Sequence, residues 1–292
     1  MNPVPNLEHA NLEQKRKADA FRAMHAAAEP LLLVNVWDVA SARIIENAGF
    51  PAIATTSAGI AFAKGYPDGQ KIHADQMIAA IADIARSVTV PVTADVEAGY
   101  GNTPEGAART ARNVIVAGAV GMNFEDATGD PVQPLADLAL QLEKIRAIRE
   151  TGEKLGVPLV LNARTDIYLL QAGDPVKRYD EVVRRLSAFR DAGADCVFAP
   201  GLRDTATIGR LVADLRCPVN ILAVRGSPSV PELCKLGVAR ISLGSGPMRA
   251  TLGLLRRLSE ELKTMGTYAA MEGAPSHAEM NELMHTTRRS EN

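Results

Sequence analysis

Residues 90–126 read VPVTADVEAGYGNTPEGAARTARNVIVAGAVGMNFED, and this stretch decides the fold. Its two apolar runs, at 90–96 and 120–125, are continuous rather than alternating, as is typical of strands in a parallel sheet covered by helices. Between the runs, Thr103 is a good helix N-cap followed by a proline, and Gly118 is a typical helix end. The stretch therefore predicts a strand, a helix and a second strand parallel to the first.

The same strand-and-helix unit recurs along the chain. Eight apolar runs have the spacing that one strand and one helix require, at residues 31–36, 52–56, 90–96, 120–125, 158–163, 194–199, 218–224 and 239–243. Eight parallel strands favour a closed barrel, because an open sheet would leave two unpaired edges. The length of 292 residues suits one such domain. We expect a single α/β domain over residues 1–292, a (β/α)8 TIM barrel at about 31–262.

Helical segments flank the predicted barrel. Residues 12–28 are predicted to form an amphipathic N-terminal helix that covers the N-terminal end of the barrel. Residues 247–265 form a helix with a stripe of leucines, and a helical arm follows over about 263–292. The scattered Met and Leu of this arm would be poorly buried on one subunit. Either the arm packs on a neighbouring subunit or it is a frayed tail.

Composition excludes several classes of function. The 32 Lys and Arg against 34 Asp and Glu give a net charge of −2, so no overall field attracts nucleic acid. No apolar run approaches a membrane span, and the first 17 residues lack the pattern of a secretory signal, so we expect a cytoplasmic protein. The three cysteines and five histidines have no zinc-site spacing, and no nucleotide-binding glycine motif is present.

Acidic side chains cluster at the predicted carboxyl ends of two neighbouring strands. Asp95 and Glu97 end the third predicted strand, and Glu125 and Asp126 end the fourth. Active sites of β/α barrels lie at this end, and converging carboxylates repel each other unless protonated, paired or neutralised by a cation. Hard oxygen ligands without His or Cys favour Mg²⁺ or Mn²⁺. The alternative is that individual acids cap the following helices.

Three further positions complete the predicted site. Arg164 ends the fifth predicted strand and suits a substrate carboxylate, although a salt bridge to Asp166 or Glu125 is the alternative. The small residues 57–59 after the second strand could bring backbone N–H groups close to an anionic oxygen. The segment 64–69 carries Asp68 on what we expect to be a mobile rim.

These residues resemble the isocitrate lyase and phosphoenolpyruvate mutase superfamily over about residues 31–262. The motifs that carry the resemblance are TSAG at 56–59, YPD at 66–68, DVEAGYG at 95–101, FED at 124–126 and NARTD at 162–166. The resemblance implies small 2-oxo or 2-hydroxy acid substrates, whereas the charge and the apolar runs of the sequence already predict no nucleic-acid or membrane partner. It also implies a homo-oligomer, usually a tetramer with exchanged C-terminal helices.

The resemblance also implies a role for each site residue. Asp95 would hold Mg²⁺ directly or through water, with Glu97 and Glu125 alongside. The substrate carboxylate would contact Ser57, Ala58 and Gly59. Asp68 would lie on a gating segment and Arg164 would clamp the substrate, so that Asp68, Glu125 and Arg164 are the catalytic candidates.

Two departures from the superfamily pattern bear on the reaction. The carbon–carbon lyases carry a Lys-Lys/Arg-Cys-Gly-His loop after the fourth strand, whose Cys is the general acid, whereas residues 125–134 here read EDATGDPVQP. Where those lyases have a Glu after the sixth strand, this chain has Phe198 followed by APG. On the seventh strand, Asn220 is expected to face the substrate, and Arg225 follows it.

These departures argue against a standard isocitrate or methylisocitrate lyase. The sequence favours Mg²⁺-dependent carbon–carbon cleavage, either like an oxaloacetate decarboxylase or like an atypical methylisocitrate or dimethylmalate lyase. Phosphorus–carbon chemistry, as in phosphoenolpyruvate mutase or phosphonopyruvate hydrolase, is one alternative. A barrel that binds a 2-oxo acid without turnover is the other.

Overall fold

The barrel strands lie where the apolar runs predict them. The computed structural model describes residues 7–285, with side chains from residue 12 onward. Over these residues the strands are β1 Leu31–Leu33, β2 Asn35–Val36, β3 Ile53–Thr55, β4 Val92–Asp95, β5 Gly121–Glu125, β6 Val160–Arg164, β7 Cys196–Phe198, β8 Val219–Leu222 and β9 Arg240–Ser242. All pairings are parallel, in the spatial order β1-β9-β8-β7-β6-β5-β4-β3-β2.

The first predicted strand closes the barrel. It is split into β1, which pairs with β9, and β2, which pairs with β3. Only Val34 separates the two segments, so the two ends of the sheet belong to one continuous piece of chain. The prediction of an eight-fold β/α barrel is therefore confirmed.

Helices cover the outside of the sheet. They are α1 Leu7–Met24, α2 Val39–Asn47, α3 Ser57–Ala63, α4 Ala74–Ser87, α5 Pro104–Val116, α6 Leu138–Lys154, α7 Arg178–Asp191, α8 Thr205–Leu215, α9 Val230–Lys235, α10 Gly246–Thr264 and α11 His277–His285, with a 3₁₀ turn at Ala269–Met271. The predicted cap of α5 is present, because the Thr103 hydroxyl accepts a hydrogen bond from the Gly106 N–H. Among the described residues, no helix is long and apolar enough to span a membrane.

Helix α1 covers the N-terminal end of the barrel, as predicted, although it spans Leu7–Met24 rather than 12–28. Its Arg22 bonds Asp195, which directly precedes β7, and the carbonyl of Pro158, which precedes β6. The Gln14 amide bonds the carbonyl of Ala119, just before β5. These contacts are all with residues at the start of strands, so α1 lies across the barrel floor.

The C-terminal segment is helical as far as residue 285. Helix α11 packs on α2, where Arg43 donates a hydrogen bond to the carbonyl of Leu283. The predicted leucine stripe of α10 is largely solvent-exposed, at Leu252, Leu254, Leu255 and Leu262. Exchange of this arm between subunits stays a prediction, and the predicted arm residues 286–292 lie outside the described residues.

The two faces of the strands carry different chemistry. Side chains that face the helices are apolar and fully buried, such as Met122 and Phe124 on β5. Alternate residues face the barrel interior, because successive side chains of a strand point to opposite sides. These inward positions are polar along much of the barrel, at Asn35, Thr55, Thr93, Asn123, Asn162, Asn220, Arg240 and Ser242. The barrel interior is therefore a polar space beneath the site.

Candidate active site

A cavity of about 240 Å³ opens at the carboxyl ends of the strands and continues into the barrel interior. Ser57 and Ala58 after β3, Asp95 at the end of β4, Arg164 at the end of β6 and Asn220 on β8 line it. Residues distant in sequence are thus brought together where the barrel fold predicts an active site.

Asp95 is fixed by hydrogen bonds from neighbouring strands. One carboxylate oxygen accepts bonds from the backbone N–H of Ser57, at 3.0 Å, and from its hydroxyl, at 2.7 Å. The other oxygen accepts a bond of 2.8 Å from the Asn123 amide, whose own oxygen accepts from Asn162 at 2.8 Å. This network fixes the orientation of the carboxylate and leaves further lone pairs on its oxygens.

Glu97 does not continue strand β4, which ends at Asp95. Its backbone is left-handed, with φ of 52°, so the alternation of side chains along a strand does not extend from Asp95 to Glu97. The turn instead directs Glu97 to a neighbouring cavity, where it accepts bonds from the Gln70 N–H and the Tyr100 hydroxyl. Burial, with added repulsion from Asp95 and Asp68, raises the pKa of Glu97 to about 7.

Arg164 bridges two acids at the boundary of the two cavities. Its guanidinium donates bonds of 2.5 and 2.9 Å to Asp166 and lies 2.8 Å from a carboxylate oxygen of Glu125. Burial raises the pKa of Glu125 well above its usual value, while Arg164 opposes that shift. The salt bridges that were the alternative for Arg164 are both present, yet the side chain still lines both cavities. Its predicted role in substrate binding is untested.

Asp126 stabilises the fold around the site. It is fully buried, and it accepts hydrogen bonds from the Thr165 hydroxyl, the Asp166 N–H and Arg185. It thereby holds the turn that follows Arg164. The sequence grouped Asp126 with the acids at the metal side, but these bonds direct its carboxylate to the supporting turn.

The loop after β3 begins helix α3 at Ser57. Ser57 and Ala58 line the cavity, while the Gly59 N–H donates to the Thr56 hydroxyl, the N-cap of this helix. A Cβ on Gly59 would lie 2.5 Å from Thr56 and 3.1 Å from Trp37, so this position requires glycine for packing. The contact of Gly59 with a substrate carboxylate stays a prediction.

The rim contains the other predicted residues. Asp68 is solvent-exposed and borders both cavities, which agrees with a position on the rim. Phe198 and Pro200 line the main cavity at the point where the lyases have a Glu. Arg225 lines a separate pocket beside α10, together with Arg203.

The arrangement of acids fits a partly hydrated cation. Among the described residues, no three Asp, Glu, His or Cys side chains are close enough to bind one ion directly. Mg²⁺ commonly takes only one or two carboxylates and keeps several waters. Asp95 raises the pKa of both Glu97 and Glu125, so the three acids influence one another electrostatically. An oxygen-only donor set of this kind suits Mg²⁺ or Mn²⁺.

Sequence reasoning missed the polar residues deeper in the barrel. Asn123 and Asn162 extend the network from Asp95, and Arg240 lies at the bottom of the cavity. A signal for Arg240 was available, since Arg240 and Ser242 alternate with apolar residues in the last predicted strand. That alternation places both side chains on one face of the strand.

Comparison with known proteins agrees with this geometry. A sequence model of the phosphoenolpyruvate phosphomutase family matches residues 21–263. The chain belongs to this family. It therefore also belongs to the isocitrate lyase and phosphoenolpyruvate mutase superfamily, as the motifs predicted.

Relatives extend the comparison. A Mycobacterium tuberculosis protein of uncharacterised function is 36% identical over 80% of this chain and 84% of its own length. An oxaloacetate decarboxylase of Ectopseudomonas mendocina is 29% identical over 87% of each chain. A Burkholderia cenocepacia structure, provisionally named a lyase/mutase, has a TM-score of 0.88 and 38% identity, covering 94% of this chain and 97% of that one. The family-level conclusion is an enzyme that cleaves carbon–carbon or phosphorus–carbon bonds.

Proposed function

We propose that the chain is a Mg²⁺-dependent carbon–carbon lyase or decarboxylase acting on a small 2-oxo or 2-hydroxy acid, with an oxaloacetate-like acid as the leading substrate. The observation that carries this proposal is the cavity between Asp95, Ser57 and Arg164, where an acid network faces a guanidinium. The named oxaloacetate decarboxylase relative supports the same reaction class.

Arg164 and the loop after β3 would orient the substrate. The bonds from Arg164 to Asp166 and Glu125 use three of its five N–H groups, so two remain for a substrate carboxylate. The pairing with two acids also fixes the plane of the guanidinium before substrate arrives. Ser57 and Ala58 border the same cavity and would place small side chains against the other side of the bound substrate.

The acids would hold the cation beside the reacting carbon. Asp95 would be the direct ligand, and Glu97 and Glu125 would bind through water. A bound Mg²⁺ would supply positive charge that stabilises the negative charge developing on the substrate oxygens during cleavage. The hydrogen bonds from Ser57 and Asn123 orient the Asp95 carboxylate for this role.

This chain lacks the Cys-containing loop that carries the general acid in the carbon–carbon lyases, and this difference favours decarboxylation. In an oxaloacetate-like acid, the bond between C3 and the distal carboxylate breaks, its electron pair passes into the enolate, and carbon dioxide leaves. The enolate then takes a proton from solvent at C3 to give pyruvate. No cysteine lines the two cavities formed by the described residues, and the segment 127–134 carries Asp130 and Thr128 rather than Lys, Cys and His. A reaction that uses a solvent proton fits this loop.

The decisive experiment is a substrate screen that detects pyruvate. Purified protein with Mg²⁺ would be given oxaloacetate, 2,3-dimethylmalate, 2-methylisocitrate and phosphonopyruvate in separate reactions. Free Mg²⁺ promotes some decarboxylation by itself, so the Asp95→Ala protein and excess chelator are the controls. We expect pyruvate release from oxaloacetate above both controls. Release from phosphonopyruvate alone would favour phosphorus–carbon chemistry, and binding without release of any product would indicate a non-catalytic barrel.

The exposed leucine stripe of α10 and the helical arm support a homo-oligomer. We include this in the proposal, with the barrel and arm as a single domain and the cytoplasm as the compartment. Light scattering of the purified protein would test the subunit number. A monomer at micromolar concentration would contradict it.

A further inference from the structure

Arg240 lies in the barrel interior, below the predicted metal-side acids. It begins strand β9, is 2% exposed, and lines the lower part of the main cavity with Thr93 and Asn162. The floor beneath it is helix α1, whose Phe21 ring lies 6.0 Å from the guanidinium carbon. Gly121 allows Phe21 and Thr93 to pack closely at this level, because a Cβ on it would come within 2.8 Å of both residues.

Among the residues that the structure describes, no acidic side chain pairs with the guanidinium of Arg240. Its Nε and Nη1 atoms are buried and have no hydrogen-bond partner among the described residues. Burial lowers the pKa of Arg240 to about 10, so it remains charged at neutral pH. The Asp95 carboxylate acts on Arg240 electrostatically without forming a salt bridge with it. An isolated buried cation is strongly destabilising unless an anion or ordered water compensates it.

The groups around Arg240 also lack partners. Among the described residues, the Thr93 hydroxyl and the Asn162 amide oxygen are buried without a hydrogen-bond partner, as is Nε2 of His25, which directly follows α1. Burial and the nearby positive charge of Arg240 lower the pKa of His25 to about 4, so its ring is neutral. The hydroxyl of Thr93 can donate to an anion. The Arg240 guanidinium and the Thr93 hydroxyl are thus two unpartnered donors that line the same cavity.

We propose that Arg240 and Thr93 form a carboxylate-binding site at the bottom of the main cavity. The charge of Arg240 is matched by a carboxylate, and its free nitrogens and the Thr93 hydroxyl supply the hydrogen bonds that such a group accepts. The carboxylate is either the distal group of the substrate or a free monocarboxylate. The chemistry is the same in both cases.

The spacing favours the substrate's own carboxylate. Thr93 and Asp95 face the cavity from the same strand two residues apart, which separates them by about 7 Å. A four- or five-carbon dicarboxylic acid can span this distance, with its 2-oxo end near Asp95 and its distal carboxylate near Arg240. This orientation rests on the proposed function, since it places the 2-oxo and C1 carboxylate oxygens beside Asp95 and Arg164. It makes Arg240 a determinant of specificity for dicarboxylates.

The test compares two ligands that differ only in the distal carboxylate. Malate and 2-hydroxybutyrate have the same four-carbon skeleton, and neither can lose carbon dioxide as a 2-oxo acid does. Calorimetry in the presence of Mg²⁺ would give both dissociation constants for wild type, Arg240→Met and Arg43→Met. Arg43 is the matched control, because it is also a buried arginine with an unpartnered Nε but lies outside the cavity.

We expect wild type and Arg43→Met to bind malate roughly 10- to 100-fold more tightly than 2-hydroxybutyrate, the range given by charged hydrogen bonds. In Arg240→Met the two ligands should bind about equally. The alternative that the site binds a free monocarboxylate is tested by measuring the melting temperature with added acetate, at constant ionic strength and without Mg²⁺. A rise in melting temperature with acetate that is lost in Arg240→Met, without a malate preference, would assign the site to a free monocarboxylate.

If neither effect depends on Arg240, the space holds only water and the proposal is overturned. If Arg240→Met does not fold, wild-type crystals soaked with malate and, separately, with acetate decide the matter. Carboxylate electron density beside Arg240 supports the site, and water alone at that position rejects it. None of these measurements uses pyruvate release. The site can therefore be confirmed in a protein that cleaves nothing, or rejected in an active decarboxylase.

Discussion

Replacing Arg164 by lysine separates its structural role from its predicted role in binding. In the folded protein, Arg164 makes three charged bonds, two to Asp166 and one to Glu125. Lysine keeps the positive charge but lacks the planar fork, so it can satisfy only one of the two acids well. Two charged hydrogen bonds are then lost, and each contributes roughly 1.5–3 kcal/mol.

The lower end of that range applies, because the retained charge still compensates the two acids. We expect Arg164→Lys to lower the free energy of unfolding by about 3 kcal/mol. For 292 residues, this corresponds to a fall in melting temperature of roughly 5 °C. If Arg164 also binds the substrate carboxylate, kcat/KM for oxaloacetate should fall at least about tenfold.

Arg185→Lys is the matched control. Arg185 is also buried and bonds Asp126, Glu181 and the carbonyl of Ala136, but it does not line either cavity. Differential scanning calorimetry should show a comparable loss of stability for both variants, whereas only Arg164→Lys should lose kcat/KM. Unchanged kinetics in a folded Arg164→Lys protein would refute the binding role, and an unchanged melting temperature would refute the structural one.

Three further predictions concern the metal, the thiols and pH. Asp95→Ala should abolish Mg²⁺-dependent pyruvate release while preserving the circular dichroism spectrum. Full activity in this variant, or full wild-type activity in excess chelator, would contradict the metal assignment. Replacing Cys196, Cys217 and Cys234 together by serine should leave most turnover intact. Burial raises the pKa of Cys196 to about 12, and none of the three cysteines lines the two cavities. Protection of a thiol from alkylation by bound substrate would contradict this prediction. His25 has a folded pKa of about 4, below its usual 6.5, so the unfolded state binds more protons between these values. The free energy of unfolding should therefore fall as the pH drops below 6.5, by about 2 kcal/mol at pH 5. Urea titrations at several pH values should show that this free energy depends less on pH in His25→Asn than in wild type.

The sequence by itself determined the barrel and the outline of the site. Continuous apolar runs, helix caps and glycine helix ends are local features, so the run at 90–96 and the cap at Thr103 could be read without a structure. The rule that barrel sites lie at the carboxyl ends of strands then selected Asp95, Arg164 and Ser57, all of which line the cavity.

Only the tertiary structure decided how these groups are paired. The left-handed turn at Glu97 and the bonds of Asp126 to Thr165 depend on neighbouring strands that are far apart in sequence. The same is true of Arg240, whose lack of a partner becomes visible only when all the strands enclose it. Local patterns specify which residues enter a strand, but hydrogen bonds and charges in the barrel interior depend on the register between strands. That register is a property of the closed barrel, and no single segment of the chain contains it.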